Sequence, residues 1–543
     1  MDGDATDPAA HSAAEDLVSR ALGKPRLFVQ VADPDLTVAA LRDVLAATGR
    51  FYDRGTPVRL AYDQQQGGTV AHVLTPEGIV RETHGVCRPY TLRGRGERLE
   101  EINVALPKST ALMYLDWRGE WNLQPLNGIA SAPLLDETGG IVAAEGYDVR
   151  TGMWCENVPD LAGRVPDRPT RDEAAAALLA LRRTFRTIAF ADASTVAEAG
   201  QDVGVVDMDL APAADESAAL AGLLTAISRP SLPLAPAMLI RAAQSSGAGT
   251  GKGLLARAIC AIAYGRQPGA VTGGSTGEEL EKRIGAELMG GGPVLFLDNL
   301  NNQSLRSNAL ASAITERPSR VRVLGTSQMV TLNATAFIVL TGNGLHAAED
   351  LARRFITCEL DAGCEDPEAR LFHGDLLADV TARRADLLAA ALTIWRWGRQ
   401  AKAGEIKAGL PLGSFSQWCH WVRDPLLALG CADPAERIAE AKQRDGRRQH
   451  DAALLTTWYA RHQAAPKKAA DLDPDVVKLI DPQGRGRQFQ AATLVRMAGT
   501  RAGGFVLTSQ ATGYWQGTTY AVFPTKDKTH RHHRHHRHAP EQD

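Results

Sequence analysis

The chain has 543 residues, too many for one hydrophobic core, and its 44% hydrophobic and 23% charged residues are ordinary for a globular protein of two to four domains. A net charge of -3 excludes a global basic field, so any phosphate polymer has to be met by local clusters of Lys and Arg. The apolar runs are short and interrupted, which excludes a membrane-spanning helix, and the acidic, polar start is unlike a secretion leader.

Seven cysteines, at 87, 155, 260, 358, 364, 419 and 431, form no CxxC pair. Their scatter argues against a disulfide framework or a zinc ribbon and fits a cytoplasmic protein with reduced thiols. Cys358 with Cys364, or Cys419 beside His420, has the chemistry of a metal-ligand pair; buried free thiols are the simpler reading.

In chain order, residues 1–25 read as a disordered N-terminus. Residues 26–186 alternate strand-like runs, such as Arg26 to Val31 and Val58 to Tyr62, with helical stretches, which predicts an α/β domain. The helix from Arg171 to Leu181, rich in strong helix formers, leads out of it. A central block, 187–395, alternates helices with the continuous apolar runs Ala237 to Ile240, Pro293 to Leu297 and Ala336 to Leu340, the pattern of strands buried on both faces of a parallel sheet. A helical region, 396–450, follows, with a tryptophan cluster at 395, 397, 418 and 421 read as packing. Residues 451–525 predict helices and then a hairpin of Gly504 to Thr508 with Thr518 to Phe523, the outline of a winged-helix domain. The His/Arg-rich tail, 526–543, reads as unfolded.

The chemistry concentrates in Ser246-Gly247-Ala248-Gly249-Thr250-Gly251-Lys252-Gly253, followed by Leu254. A phosphate-binding loop needs glycines so that backbone N-H groups can point inward, a lysine for the outer phosphates, and a helix beginning at once. This segment, between the strand ending at Ile240 and an apolar helix, supplies all three. It departs from the P-loop pattern in having Ser246 at the first glycine position and Gly253 where a Ser or Thr hydroxyl binds Mg2+. Asp298, at the end of the Leu295 to Leu297 run, is the candidate metal carboxylate. Asn299 occupies the place of a glutamate general base but cannot take a proton; Glu278 and Glu279 are stand-ins that the spacing does not select. Asn343 is placed to orient an attacking water. Arg353 and Arg354, at the end of a helix, are placed to reach a neighbouring subunit's γ-phosphate.

This order of motifs resembles the AAA+ ATPases, specifically the superfamily 3-like helicase portion of primase-helicase proteins from phages, plasmids and mobile elements. Phe51 to Leu60, Trp121 to Ile129, Ala132 to Leu135 and Gly146 to Gly152 resemble the segment that precedes the motor in those proteins. The resemblance implies an α/β fold with a P-loop AAA+ core at 187–395, ATP and Mg2+ as cofactors, and ATP-driven unwinding of single-stranded or forked DNA. It also implies a homo-oligomeric ring, usually a hexamer, and a primase that is missing or separately encoded. Proteins of this group carry a DNA-facing hairpin where this chain has Arg317 to Leu332, which makes Arg320 and Arg322 the candidate DNA contacts. Lys467, Lys468, Arg485, Arg487 and Arg496 form a second basic candidate.

Two other readings follow from the residues. An ATP-gated initiator or loader would tolerate the departures at Gly253 and Asn299. A primase-polymerase would use Asp207 and Asp209 if Val205 to Leu210 is a strand presenting both carboxylates on one face.

Overall fold

The computed structural model describes residues 23–525, apart from 65–66, 95–97, 200–202, 243–248, 273–276, 302–303, 323–328, 348, 403, 439–445 and 512–517. The expected disordered N-terminus up to residue 22 and the His/Arg tail from 526 lie outside the described residues. The fold is mixed α/β, and the chain divides into two compact units, Met1–Ile438 and Ala439–Asp543. No helix among the described residues is long and apolar enough to cross a membrane.

The first unit opens with two small sheets. Strand Arg26–Phe28 pairs parallel with Arg88–Arg93, which pairs antiparallel with Glu100–Asn103. Helices Pro34–Ala47, Pro76–Val86 and Lys108–Asp116 close over them through Leu41, Leu45, Ile79 and Tyr114. The first strand is shorter than the apolar run suggested, because the Gln30 amide turns to donate to Thr37 Oγ1 at 2.9 Å. The second sheet runs Gly68–Val73, Pro57–Asp63, Phe51–Asp53, Gln124–Pro125. At the turn after Asp53, the fully buried Arg54 donates to the carbonyls of Leu288 and Met289, near the end of a helix of the central block, and to those of Leu126 and Asn127. Burial without a carboxylate partner pulls its guanidinium down to about 10.

The central sheet has five parallel strands, numbered here in chain order with the helices between them. They are β1 (Ala237–Ala242), α1 (Lys252–Tyr264), β2 (Ala270–Thr272), α2 (Gly277–Gly290), β3 (Val294–Asp298), α3 (Asn308–Thr315), β4 (Phe337–Asn343) and β5 (Phe355–Leu360). Their spatial order is β2-β3-β4-β1-β5, so β4 lies between β1 and β3. Val-, Ile- and Leu-rich strands of this kind exclude water on both faces. Here helix Ala214–Ser228, buried along its length after the first residue, packs on α1 and β5. A left-handed glycine, Gly265, ends α1 and returns the chain toward β2.

Helix Arg171–Phe185 starts at a reciprocal cap: the Thr170 hydroxyl accepts from the Glu173 amide, and Glu173 accepts from the Thr170 amide at 2.7 Å. Helix Arg384–Gln400 runs across the expected boundary at 395/396, and Trp395, Trp397, Trp418 and Trp421 are all buried. Trp395 meets Trp421 edge to face, and Trp418 Nε1 donates to Thr225 Oγ1 at 2.7 Å. These rings are core.

The pattern Val205 to Leu210 is not the expected six-residue strand. Only Val205–Val206 is extended; Asp207 then accepts from the Asp209 amide at 2.9 Å, closing an Asx turn. The two aspartates therefore do not share a strand face.

In the second unit, helices Gly446–His462, Pro474–Ile480 and Arg487–Met497 precede strand Arg501–Ala502 and the hairpin Phe505–Ala511 with Thr518–Pro524. Leu454, Trp458, Val476, Leu494, Leu507 and Val522 form its core. Among the basic candidates there, Arg485 stacks over Phe489 at 4.8 Å, and Arg487 and Arg496 are exposed.

Candidate functional site

The carboxyl ends of β1, β3 and β4 form one edge of the central sheet. Leu239, Leu340 and Leu297 pair across the three strands, so Ile240, Thr341 and Asp298 make the next row, and Asn343 stands opposite Ala242. In open parallel sheets ligands bind outside these carboxyl ends, where the strand order reverses.

From Ala242 the chain leaves β1 for the glycine segment. Ser246, Gly247 and Ala248 lie outside the described residues. Gly249 and Gly251 follow with φ of 83° and 94°, left-handed values that glycine adopts without strain. Gly249 is needed for space as well, since a Cβ there would come within 2.4 Å of Glu368 Cγ and 2.9 Å of the Glu368 backbone nitrogen. Arg370 Nη2 reaches the Gly249 carbonyl at 3.4 Å. Neither residue was expected from sequence, since both lie far along the chain, after β5.

Lys252 opens α1, so its neighbouring amides belong to the partner-poor first turn and its positive end. Its Nζ donates to the buried Thr250 Oγ1 at 2.8 Å. Burial holds the ammonium below the ordinary lysine value, and the charge of Asp298 works against that shift. Leu254 lies in the same turn, exposed.

Asp298 ends β3 with both carboxylate oxygens engaged. Thr341 Oγ1 donates to Oδ1 and itself accepts from the Asn299 amide at 3.1 Å. Arg257, on α1, approaches Oδ2 at 3.4 Å, with its guanidinium 5.4 Å from the Phe296 ring centroid. Asn299 has φ 63°, which asparagine tolerates better than glutamate. Its side-chain oxygen accepts from Asn301 Nδ2 at 2.5 Å, and Asn301 Oδ1 accepts from the Asn343 amide at 2.8 Å. Asp298, Asn299 and Asn343 are thus brought together by Thr341 and Asn301, two residues that sequence reasoning did not single out. Glu278 and Glu279 pair with Lys282 and Arg283 on their own helix.

Arg354 and Arg353 follow the short helix Glu349–Ala352 rather than lying within it. Arg354 Nη1 donates to Ala311 O at 2.7 Å and Thr315 Oγ1 at 2.9 Å, fastening α3; Arg353 is exposed. The expected hairpin is present at Ser319–Arg322 and Met329–Leu332, with Arg320 opposite Thr331 and Arg322 opposite Met329. Val321, Val330 and Leu332 are buried, whereas Arg320 is exposed. The tip, 323–328, and the Arg322 side chain lie outside the described residues.

The fit of a protein-held Mg2+ is poor. Gly253 offers no hydroxyl, one Asp298 oxygen is taken by Thr341, and the other faces a guanidinium. No cluster of three His, Cys, Asp or Glu with metal-holding geometry occurs among the described residues. Cys358 and Cys419 are buried, and Cys364 is exposed.

No protein-family model matches the chain, and no curated protein matches it. Among solved structures, the chain is similar to the apo A form of the NrS-1 C-terminal region, with a TM-score of 0.30 and 14% identity over 78% of this chain and 80% of that one. The likeness is loose.

Proposed function

We propose that the chain is a P-loop ATPase of the AAA+ kind that couples ATP hydrolysis to movement along or unwinding of DNA in the replication of a mobile element. The observation that carries this reading is one strand-end constellation: left-handed Gly249 and Gly251 lead into Lys252 at the start of α1, beside Asp298, Thr341 and Asn343 on the two neighbouring strands. Backbone amides and an ammonium grip the triphosphate of ATP; Asp298 and Asn343 face its outer phosphates. Mg2+ enters this reading on the nucleotide's own phosphates rather than on protein ligands. A homo-oligomeric ring, six subunits by resemblance, places Arg353 at a neighbour's nucleotide. Arg320 at the hairpin contacts single-stranded or forked DNA, and a separately encoded primase is a further partner.

The Asn299 turn favours a second reading. A left-handed asparagine occupied with Asn301 holds no general base, which suits an ATP-gated initiator or loader. ATPase stimulated by single-stranded DNA and strand displacement, measured side by side, separate the two. Hydrolysis with unwinding supports the motor, and ATP-dependent DNA binding without hydrolysis supports the switch. The primase-polymerase reading loses its support with the Asp207 turn.

A further inference from the structure

Gly253 stands where the phosphate-loop pattern has a hydroxyl residue, and a neighbouring side chain fills the space it leaves. Arg257, four residues on, shares its face of α1. A Cβ on Gly253 would lie 2.7 Å from Arg257 Nη1 and 3.9 Å from Asp298 Oδ1. Arg257 Nη2 is 3.4 Å from Asp298 Oδ2, and the guanidinium sits 5.4 Å from the Phe296 ring centroid. Phe296 and Asp298 are two apart on β3 and so point to the same side, offering a ring face and a carboxylate to one cation. Any side chain at 253 would have to displace it.

The geometry points to Arg257 as the resident cation of the nucleotide site: held by Asp298 and Phe296 in the room Gly253 leaves, it supplies the phosphate-facing charge usually supplied by a divalent ion, so that a nucleoside triphosphate binds without a divalent cation. This rests on the reading of residues 246–253 as a triphosphate loop. A guanidinium is planar and pairs its N-H groups with phosphate oxygens two at a time. Mg2+ requires near-octahedral oxygen ligands; Gly253 offers none, and a metal at Asp298 would have to share with Arg257 a carboxylate that already accepts from Thr341. Lys252, Arg257 and Arg370 against the carboxylates of Asp298 and Glu368 leave a net positive pocket without a metal, complementary to an anionic ligand.

The test is titration of the full chain with a fluorescent ATP analogue, mant-ATP, in excess MgCl2 and in excess EDTA. Wild type is expected to show dissociation constants within about threefold of each other in the two buffers. Arg257→Met is expected to weaken binding in EDTA about tenfold or more while Mg2+ restores most of it. Gly253→Ser combined with Arg257→Ala, which returns the hydroxyl and clears the guanidinium, is expected to bind only with Mg2+. Circular dichroism of each variant checks the fold, and Arg257 is partly exposed, so the substitution removes no core side chain. Wild-type binding that is present in MgCl2 and lost in EDTA overturns the inference and leaves the triphosphate loop standing. So does an Arg257→Met protein indistinguishable from wild type in EDTA. Absence of binding in both buffers removes the loop reading itself, and this inference with it.

Discussion

Replacing Thr341 with valine removes one hydroxyl and nearly nothing else, at the point where β3 and β4 are tied together beneath the site. The side chain is 1% exposed and makes two hydrogen bonds, donating to Asp298 Oδ1 and accepting from the Asn299 amide at 3.1 Å. Valine leaves the Asn299 N-H without its acceptor; Asn299 is exposed, so water takes up part of that donor and the loss falls at the low end of the about 1–3 kcal/mol that a buried unpaired donor costs. The bond to the carboxylate adds less than a fully buried charged bond would, because the Asp298 side chain retains 24% exposure and water takes part of the place. The expected destabilisation of the first unit is therefore about 1–3 kcal/mol, read as a lower urea midpoint at unchanged slope. Thr341→Ser keeps the hydroxyl and loses a methyl, a change of about 1 kcal/mol. Mant-ATP affinity should fall with the valine variant and hold with serine, since only valine frees Asp298 and the Asn299 turn. A valine variant within about 0.5 kcal/mol of wild type, or a serine variant less stable than valine, refutes the reasoning.

Arg353→Ala should spare nucleotide binding and lower hydrolysis, whereas Arg354→Ala should lower the melting temperature by loosening α3; equal effects on both readouts would remove the distinction. Arg320→Glu should weaken single-stranded DNA binding and flatten its dependence on salt; an unaltered salt slope places the contact elsewhere. Asp215, fully buried, has its carboxyl raised from 3.8 to about 6 by burial, against hydrogen bonds from Arg437 and from the Glu359 amide. An acid with a raised folded value holds its proton more tightly when folded, so the stability it contributes is full below 3.8 and is lost as pH rises toward 6. Asp215→Asn should therefore gain on wild type as pH rises between those two values. Parallel urea midpoints across that range would contradict it.

What could be read from sequence was local and contiguous. A strand, three glycines, a lysine and an apolar helix in close succession announce β1, the loop and α1, and apolar runs announce β3 and β4 because both faces of those strands are dry. The position of β4 between β1 and β3 could not be read, since pairing partners leave no mark in a continuously apolar strand. Arg257 carries no signal of its own in the sequence, although its spacing from Gly253 puts it on the same helix face, because its meaning depends on Asp298 on β3. Val205 to Leu210 alternates like a strand, yet Asp207 bonds the backbone two residues on and ends it, a local competition that alternation does not register. Arg54 resembles a surface turn residue in Asp-Arg-Gly and is instead fully buried on four carbonyls, including the last of α2 but one. Gly342 was unremarkable in sequence; in the fold a Cβ there would meet the Leu300 carbonyl at 2.3 Å, so the turn carrying Asn299 can lie across β4 only because that position has no side chain.

The most direct measurement is a pair of mant-ATP isotherms, wild type and Lys252→Ala, at equal protein concentration with folding verified by circular dichroism. Loss of the Lys252 ammonium from the start of α1 should weaken binding about a hundredfold, near 2.7 kcal/mol, while leaving the fold intact. Superimposable isotherms would mean that the triphosphate does not lie at the end of β1.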